Sequence, residues 1–250
     1  MVVRFAPPAA DHLVVISPHL DDAVLSGWAW LRAASRATVI TVCAGIAAAQ
    51  PVDWDRLTRS GDPEARCHAR RAEDRRVLEA RGWTPVHLDV LDGPYRTPAT
   101  TPAAEAVAGL IAARLPDDAS HLLIPAGIGR HEDHLLARDA ALLLDRSRLE
   151  AHLMADYPYA ALYGWPGWVT GEDDPAYLAP EADWGPVIDD LRPLLGVARV
   201  VDLDEAAQAA KLAAFRGYAS QVDATEAGPS RQVSHPRRIA HEVSWPLLAS

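Results

Sequence analysis

Short apolar runs separated by amphipathic segments predict an α/β fold, and no internal repeat or low-complexity linker interrupts the pattern. Leu13–Ser17 (LVVIS) reads as a buried strand ended by Pro18. Residues 22–34 keep apolar residues at helical spacing and close near Arg32 and Arg36, which predicts a helix. Residues 37–43 (ATVITVC) are β-branched and apolar, a second strand. Residues 44–62 are polar and irregular, with Pro51 and Gly61, and are expected as a loop. Residues 63–81 form a charged amphipathic helix stopped by Gly82. Residues 86–90 are a weaker strand, 101–115 an alanine-rich helix closed by Pro116, and His121–Pro125 (HLLIP) a strong strand. A helix over 131–145 opens out of the next turn; 150–157 and 198–203 are later strands, and 205–218 is the last long helix. An irregular, aromatic-rich insert lies near 163–186. Strands alternating with helices imply a mostly parallel sheet covered on both faces, a Rossmann-like three-layer α/β/α sandwich in one domain over residues 1–250.

The 250 residues are 49% hydrophobic and 23% charged, enough for a sizeable core without disulfides or metal staples. A bound metal would then serve chemistry rather than folding. The formal net charge of −10 argues against a nucleic-acid partner, because phosphate binding needs a basic face. Arg70–Arg71 and Arg237–Arg238 are too short to supply one. Cys43 and Cys67 make no CxxC pair and read as free thiols in a reducing compartment. The first residues lack a signal peptide's apolar stretch, and no apolar run approaches the roughly 20 residues of a membrane span. A soluble cytoplasmic protein is expected. Lys211 is the only lysine.

Ser17-Pro18-His19-Leu20-Asp21-Asp22 falls where a strand ends and a helix begins, the edge at which parallel α/β sheets bind ligands. An imidazole and a carboxylate at that spacing can turn toward one cation. Helix capping accounts for one of the two aspartates, but not for the second or for the histidine. His131-Glu132-Asp133-His134 again follows a strand, through Ala126-Gly127-Ile128-Gly129, and its two histidines share a helical face. The two clusters together suit a catalytic metal site with three protein ligands and one open position. Two histidines and a carboxylate fit zinc and also ferrous iron. HExxH does not fit, because the second histidine comes one residue early.

SPHLDDAVLS followed by GRHEDH resembles the paired H-x-D-D and H-x-D-H motifs of the PIG-L/LmbE-like N-deacetylases. That family includes de-N-acetylases of N-acetylglucosaminyl-phosphatidylinositol and of related glycosides. Arg70-Arg71-Ala72-Glu73-Asp74 is similar to its R-x-x-E helix, and Tyr157-Pro158-Tyr159-Ala160 to its D-x-P-Y-A strand end. Lys211 with Tyr218-Ala219-Ser220-Gln221 is similar to its K…H-x-S-Q tail, so the resemblance runs over residues 13–221. It implies zinc held by His19, Asp22 and His134, with Asp21 as general base toward the attacking water. His131, oriented by Asp133, would stabilise the tetrahedral intermediate or protonate the leaving nitrogen, and Arg70 would contact substrate. The implied reaction removes an N-acetyl or other N-acyl group from an amino sugar or glycoside-type small molecule. A tailoring role in bacterial natural-product biosynthesis is compatible with it. Leu20 and Glu132 stand where the family has proline, Ala23 where it has an acidic residue, and Tyr218 where it has histidine. None of these is an implied ligand or base, and they point to a subgroup with its own substrate.

A degenerate member that binds metal and glycoside without cutting would be favoured by loss of Asp21, which is present. There is no G-x-S-x-G elbow and no P-loop, and Gly127-Ile128-Gly129 falls short of a dinucleotide fingerprint. The aromatics Tyr157, Tyr159, Tyr163, Trp165, Trp168, Tyr177 and Trp184 could stack on a sugar. Filling the core of their own loop is the stronger expectation. His12, His68, His87, His121, His152, His235 and His241 are assigned to surface or core roles.

Overall fold

Leu13–Ser17 and Ala37–Thr41 are buried at every position, as strands covered on both faces must be. The computed structural model describes residues 2–48, 51–57, 61–162, 164–172, 184–226 and 233–248. Among them, β1 (Val2–Arg4), β2 (Leu13–Ser17), β3 (Ala37–Thr41), β4 (Thr84–His87), β5 (His121–Pro125), β6 (Glu150–Met154), β7 (Ala198–Asp202) and β8 (His241–Pro246) form one sheet. Its order is β1-β7-β8-β6-β5-β2-β3-β4. Only β8 runs antiparallel, to β6 and to β7. The sheet is therefore mostly parallel, with helices packed around it.

β2 pairs β3 on one side and β5 on the other, with Leu13 opposite His121 and Val15 opposite Leu123. The connections diverge at this point: β3 and β4 build outward in one direction, β5 and β6 in the other. Such a switch leaves a crevice beyond the carboxyl ends of the two central strands. Both chemistry-bearing segments emerge there.

Residues 22–34 form two short helices instead of one, α1 (Asp22–Ser26) and α2 (Trp28–Ala33). Gly27 separates them where the chain presses on the sheet; a Cβ there would stand 2.9 Å from Leu123 Cδ2. Helical periodicity survives such a break, so the sequence alone does not reveal it. The expected loop 44–62 contains a short helix, α3 (Asp53–Leu57). In α4 (Pro63–Glu79), the Asp62 side chain caps by accepting from Glu64 N and Ala65 N, with Pro63 in the first turn. Next come α5 (Ala104–Ala112) and α6 (Glu132–Leu142), the latter with His131 as its N-cap.

Two strands went unpredicted. β1 is only three residues long, and β8 (HEVSWP) mixes polar and apolar residues and carries a proline. β8 nonetheless ties the fold together through Glu242. Its carboxylate accepts from Trp28 N at 3.1 Å and Ala29 N at 2.9 Å, capping α2, and meets Lys211 Nζ at 2.7 Å. Lys211 is fully buried, over the Tyr157 ring.

Within the aromatic insert, Trp165 and Trp184 join the core, whereas Trp168 is exposed. Trp165, Trp184 and Trp245 are buried and meet edge to face, and Trp165 Nε1 donates to Arg238 O at 2.6 Å. Tyr163 and Tyr177 lie outside the described residues. Cys43 and Cys67 are buried free thiols. Among the described residues, no helix is long and apolar enough to cross a membrane.

Candidate metal centre

The turn after β2 is shaped by Ser17. Its Oγ accepts from Ala23 N at 3.0 Å and donates to His19 O at 2.6 Å, serving the helix start in place of an aspartate. Asp21 occupies the N-cap position of α1 yet makes no side-chain cap bond. Asp22 folds back instead: its Oδ2 accepts from His19 N at 2.9 Å and lies 3.1 Å from His19 Nδ1. From α6, His134 Nε2 approaches the same oxygen at 3.3 Å.

His19, Asp22 and His134 thus present one ligand atom each, all within 4.8 Å of one another. Behind each imidazole stands a carboxylate. Asp156 Oδ1 lies 2.7 Å from His134 Nδ1 while its Oδ2 accepts from Ile128 N, and Asp133 Oδ2 lies 2.9 Å from His19 Nε2. With the ring protons on the outer nitrogens, the lone pairs would face inward, as metal-ligating histidines require. His134 Nε2 is buried with no hydrogen-bond partner among the described residues. An orphaned acceptor of that kind, facing a carboxylate and a second imidazole, fits a divalent cation.

A second group, His19, His131 and Asp133, is equally close. It is a poorer candidate because its donor atoms are engaged. Asp133 Oδ2 accepts from Gly93 N, Oδ1 pairs with Arg96, and His131 Nδ1 accepts from Asp133 N at 3.2 Å.

The electrostatics match a cation site. Burial pulls His19 down, but Asp92, Asp133 and Asp22 outweigh it and hold the imidazole well above its ordinary range. His134 behaves likewise: against burial, Asp22 and Asp156 raise it to about 9. Burial would raise Asp22 and Asp133, yet Asp22 is held low by His134 and His19, and Asp133 by His19, the Gly93 N–H and Arg96. Asp21 differs from both. Burial and the adjacent Asp22 charge push it up to about 6, with Arg70 and His19 opposing. His131 is lowered by burial and by its two neighbouring imidazoles.

A cavity of about 310 Å³ opens beside the cluster, lined among others by Asp21, Arg70, Asp92, His131, Tyr159 and Gln221. Arg70 Nη1 donates to Asp92 Oδ2 at 3.2 Å, and Asp92 Oδ1 stands 3.6 Å from His19 Nε2. The structure therefore brings His19, Asp22 and His134 together and sets Asp21, His131 and Arg70 around the cavity. The Asp133 carboxylate is fully buried, with Oδ2 2.9 Å from His19 Nε2 and 3.8 Å from His131 Nδ1, and its backbone N–H donates to His131 Nδ1 at 3.2 Å. Asp92, Arg96 and Asp156 were not singled out from sequence. Asp156 had a usable signal, since it follows β6 at the same sheet edge; Asp92 and Arg96 come from a loop with no distinctive spacing.

Fold and site together define an α/β protein with a histidine–aspartate cluster at the sheet's switch point. Compared with family models and with curated proteins, the chain matches none. Among solved structures it is similar to the A40926 pseudoaglycone deacetylase Dbv21, with TM-score 0.70 and 29% identity over 96% of this chain and 99% of that one. It is also similar to a triple mutant of a deacetylase of the teicoplanin biosynthetic pathway, with TM-score 0.71 and 26% identity over 96% and 98%. A deacetylase–teicoplanin complex gives TM-score 0.67 at 25% identity over 96% and 99%.

Proposed function

We propose that this chain is a metal-dependent N-deacetylase that removes an acetyl or related acyl group from the amino sugar of a natural-product glycoside. The observation that carries this reading is the unpartnered, buried His134 Nε2 converging with His19 Nδ1 on Asp22 beside a cavity. The likeness over nearly the whole chain to deacetylases of the A40926 and teicoplanin pathways supports the reaction class.

His19, Asp22 and His134 would hold the ion. Zinc is the ion their chemistry suits best, with ferrous iron as the alternative. When bound, it supplies the Lewis acidity that makes water a competent nucleophile near neutral pH. Asp21 lines the cavity next to Asp22 with its carboxylate free of helix capping, and takes the proton of the attacking water. His131, which also lines the cavity, stabilises the developing oxyanion or delivers a proton to the leaving nitrogen. One such oxyanion donor is worth about 3–4 kcal/mol in other enzymes. Asp133 and Asp156 hold the outer nitrogens of His19 and His134. Arg70, fixed by Asp92, binds the substrate at the cavity wall.

The test is acetate release from a panel of N-acetylglucosaminides and an N-acetylglucosaminyl glycopeptide pseudoaglycone. Release should stop on complete chelation and return with Zn2+. His19→Ala should lose both metal and turnover. Undiminished release from metal-free protein would overturn the reading.

A further inference from the structure

The loop at residues 91–96 crosses the start of α6 and closes on Asp133. Gly93 N donates to Asp133 Oδ2 at 2.9 Å. A Cβ on Gly93 would collide with Glu132 Oε1 and stand 3.1 Å from Asp133 Oδ2, so glycine permits this approach. Arg96 pairs through Nη2 with Asp133 Oδ1, while its Nη1 donates to Leu91 O at 2.7 Å and lies 3.5 Å from Cys43 Sγ. Its side chain is 2% exposed. Both carboxylate oxygens of Asp133 are thereby assigned, and Oδ2 is directed at His19 Nε2 at 2.9 Å.

We propose that Arg96 is a positioning residue for the metal centre: by holding Asp133, it turns His19 so that Nδ1 faces Asp22 and His134. This rests on the reading of those three residues as metal ligands. Without the guanidinium, Oδ1 loses its cation inside a buried site, and the Gly93 N–H alone is left to hold a carboxylate that can then turn away from His19. His19 would then lose the contact that selects its ring orientation. Arginine suits the position because its planar fork reaches Asp133 and the Leu91 carbonyl at once, which an ammonium does less rigidly.

The experiment measures Zn2+ affinity by chelator competition and the Co2+ d–d absorption spectrum, for wild type, Arg96→Met and Arg96→Lys. Arg96→Met should weaken Zn2+ binding about 10–100-fold and alter the Co2+ spectrum, the usual cost of removing an outer-shell partner. Arg96→Lys should recover part of the affinity. Lys211→Met removes another buried cation, one that pairs with Glu242, and should leave both readouts as in wild type. If Arg96→Met does not fold, Arg96→Lys decides by the same two readouts. Wild type that binds neither ion would sink the metal-centre reading itself. Wild type that binds, with both Arg96 variants matching it in affinity and spectrum, overturns the positioning role alone.

Discussion

β2 and β5 carry histidines at both of their ends, and the two ends differ in how those histidines are satisfied. At the amino ends, His12 Nδ1 meets Asp118 at 2.8 Å and Nε2 meets Thr38 Oγ1 at 2.9 Å. His121 Nδ1 meets Ser120 Oγ at 3.0 Å, with Nε2 3.5 Å from Glu150. The Asp118 and Glu150 side chains are 55% and 54% exposed. Each ring is matched, and each anion sits in water. At the carboxyl ends, Asp22, Asp133 and Asp156 are buried, and His134 Nε2, 3.3 Å from Asp22 Oδ2, has no hydrogen-bond partner among the described residues. A histidine–carboxylate pair is thus common furniture on this sheet. Buried anions converging on an unmatched nitrogen distinguish a site from a surface pair.

Three changes sharpen that contrast. Asp21→Asn keeps the shape of the cavity wall but removes the proton acceptor. It should lower kcat by about 10²–10⁴ while bound metal per chain is unchanged; an active variant would reassign the base. Asp156→Ala removes the carboxylate behind His134 and should weaken Zn2+ binding about 10–100-fold in chelator competition. Equal affinity would mean that the burial of Asp156 serves only the fold. The smallest effect belongs to the amino end of the sheet. His152 packs on Trp30, its Nε2 3.0 Å from Glu150, and burial pushes it down to about 4. The folded state then binds fewer protons than the unfolded chain between about pH 6.5 and 4. Stability from the neutral ring is fully present above that window and is lost as pH falls through it. His152→Gln should remove this slope, so in urea unfolding the loss of stability from pH 7 to pH 5 should be roughly 1–2 kcal/mol larger for wild type than for the variant.

The sequence was most informative where structure is local. β2 and β5 match their expected limits, because an unbroken apolar run bounded by proline or glycine has few other readings. The two clusters follow those strands directly, so their shared sheet edge was predictable and their meeting is a consequence of β2–β5 pairing. What escaped is long-range. Arg96 matters because a loop returns over α6, and nothing in G-P-Y-R announces it. Asp133 was expected beside the histidine two residues before it, and nothing in the sequence announces that its Oδ2 also lies 2.9 Å from His19, 114 positions away. β8 was missed because its run HEVSWP mixes polar and apolar residues and carries a proline. The aromatic segment was ambiguous by composition and resolves into packing at Trp165 and Trp184, while among the described residues of that set Tyr159 alone lines the cavity.

Lys211, enclosed between Glu242 and the Tyr157 ring, is the chain's single lysine. The folded protein therefore offers acylating labels, aldehydes and ubiquitin-type ligation no side-chain amine at its surface. Any modification of Lys211 has to wait for the enclosing elements to come apart, which makes its reactivity a clock for opening of the structure.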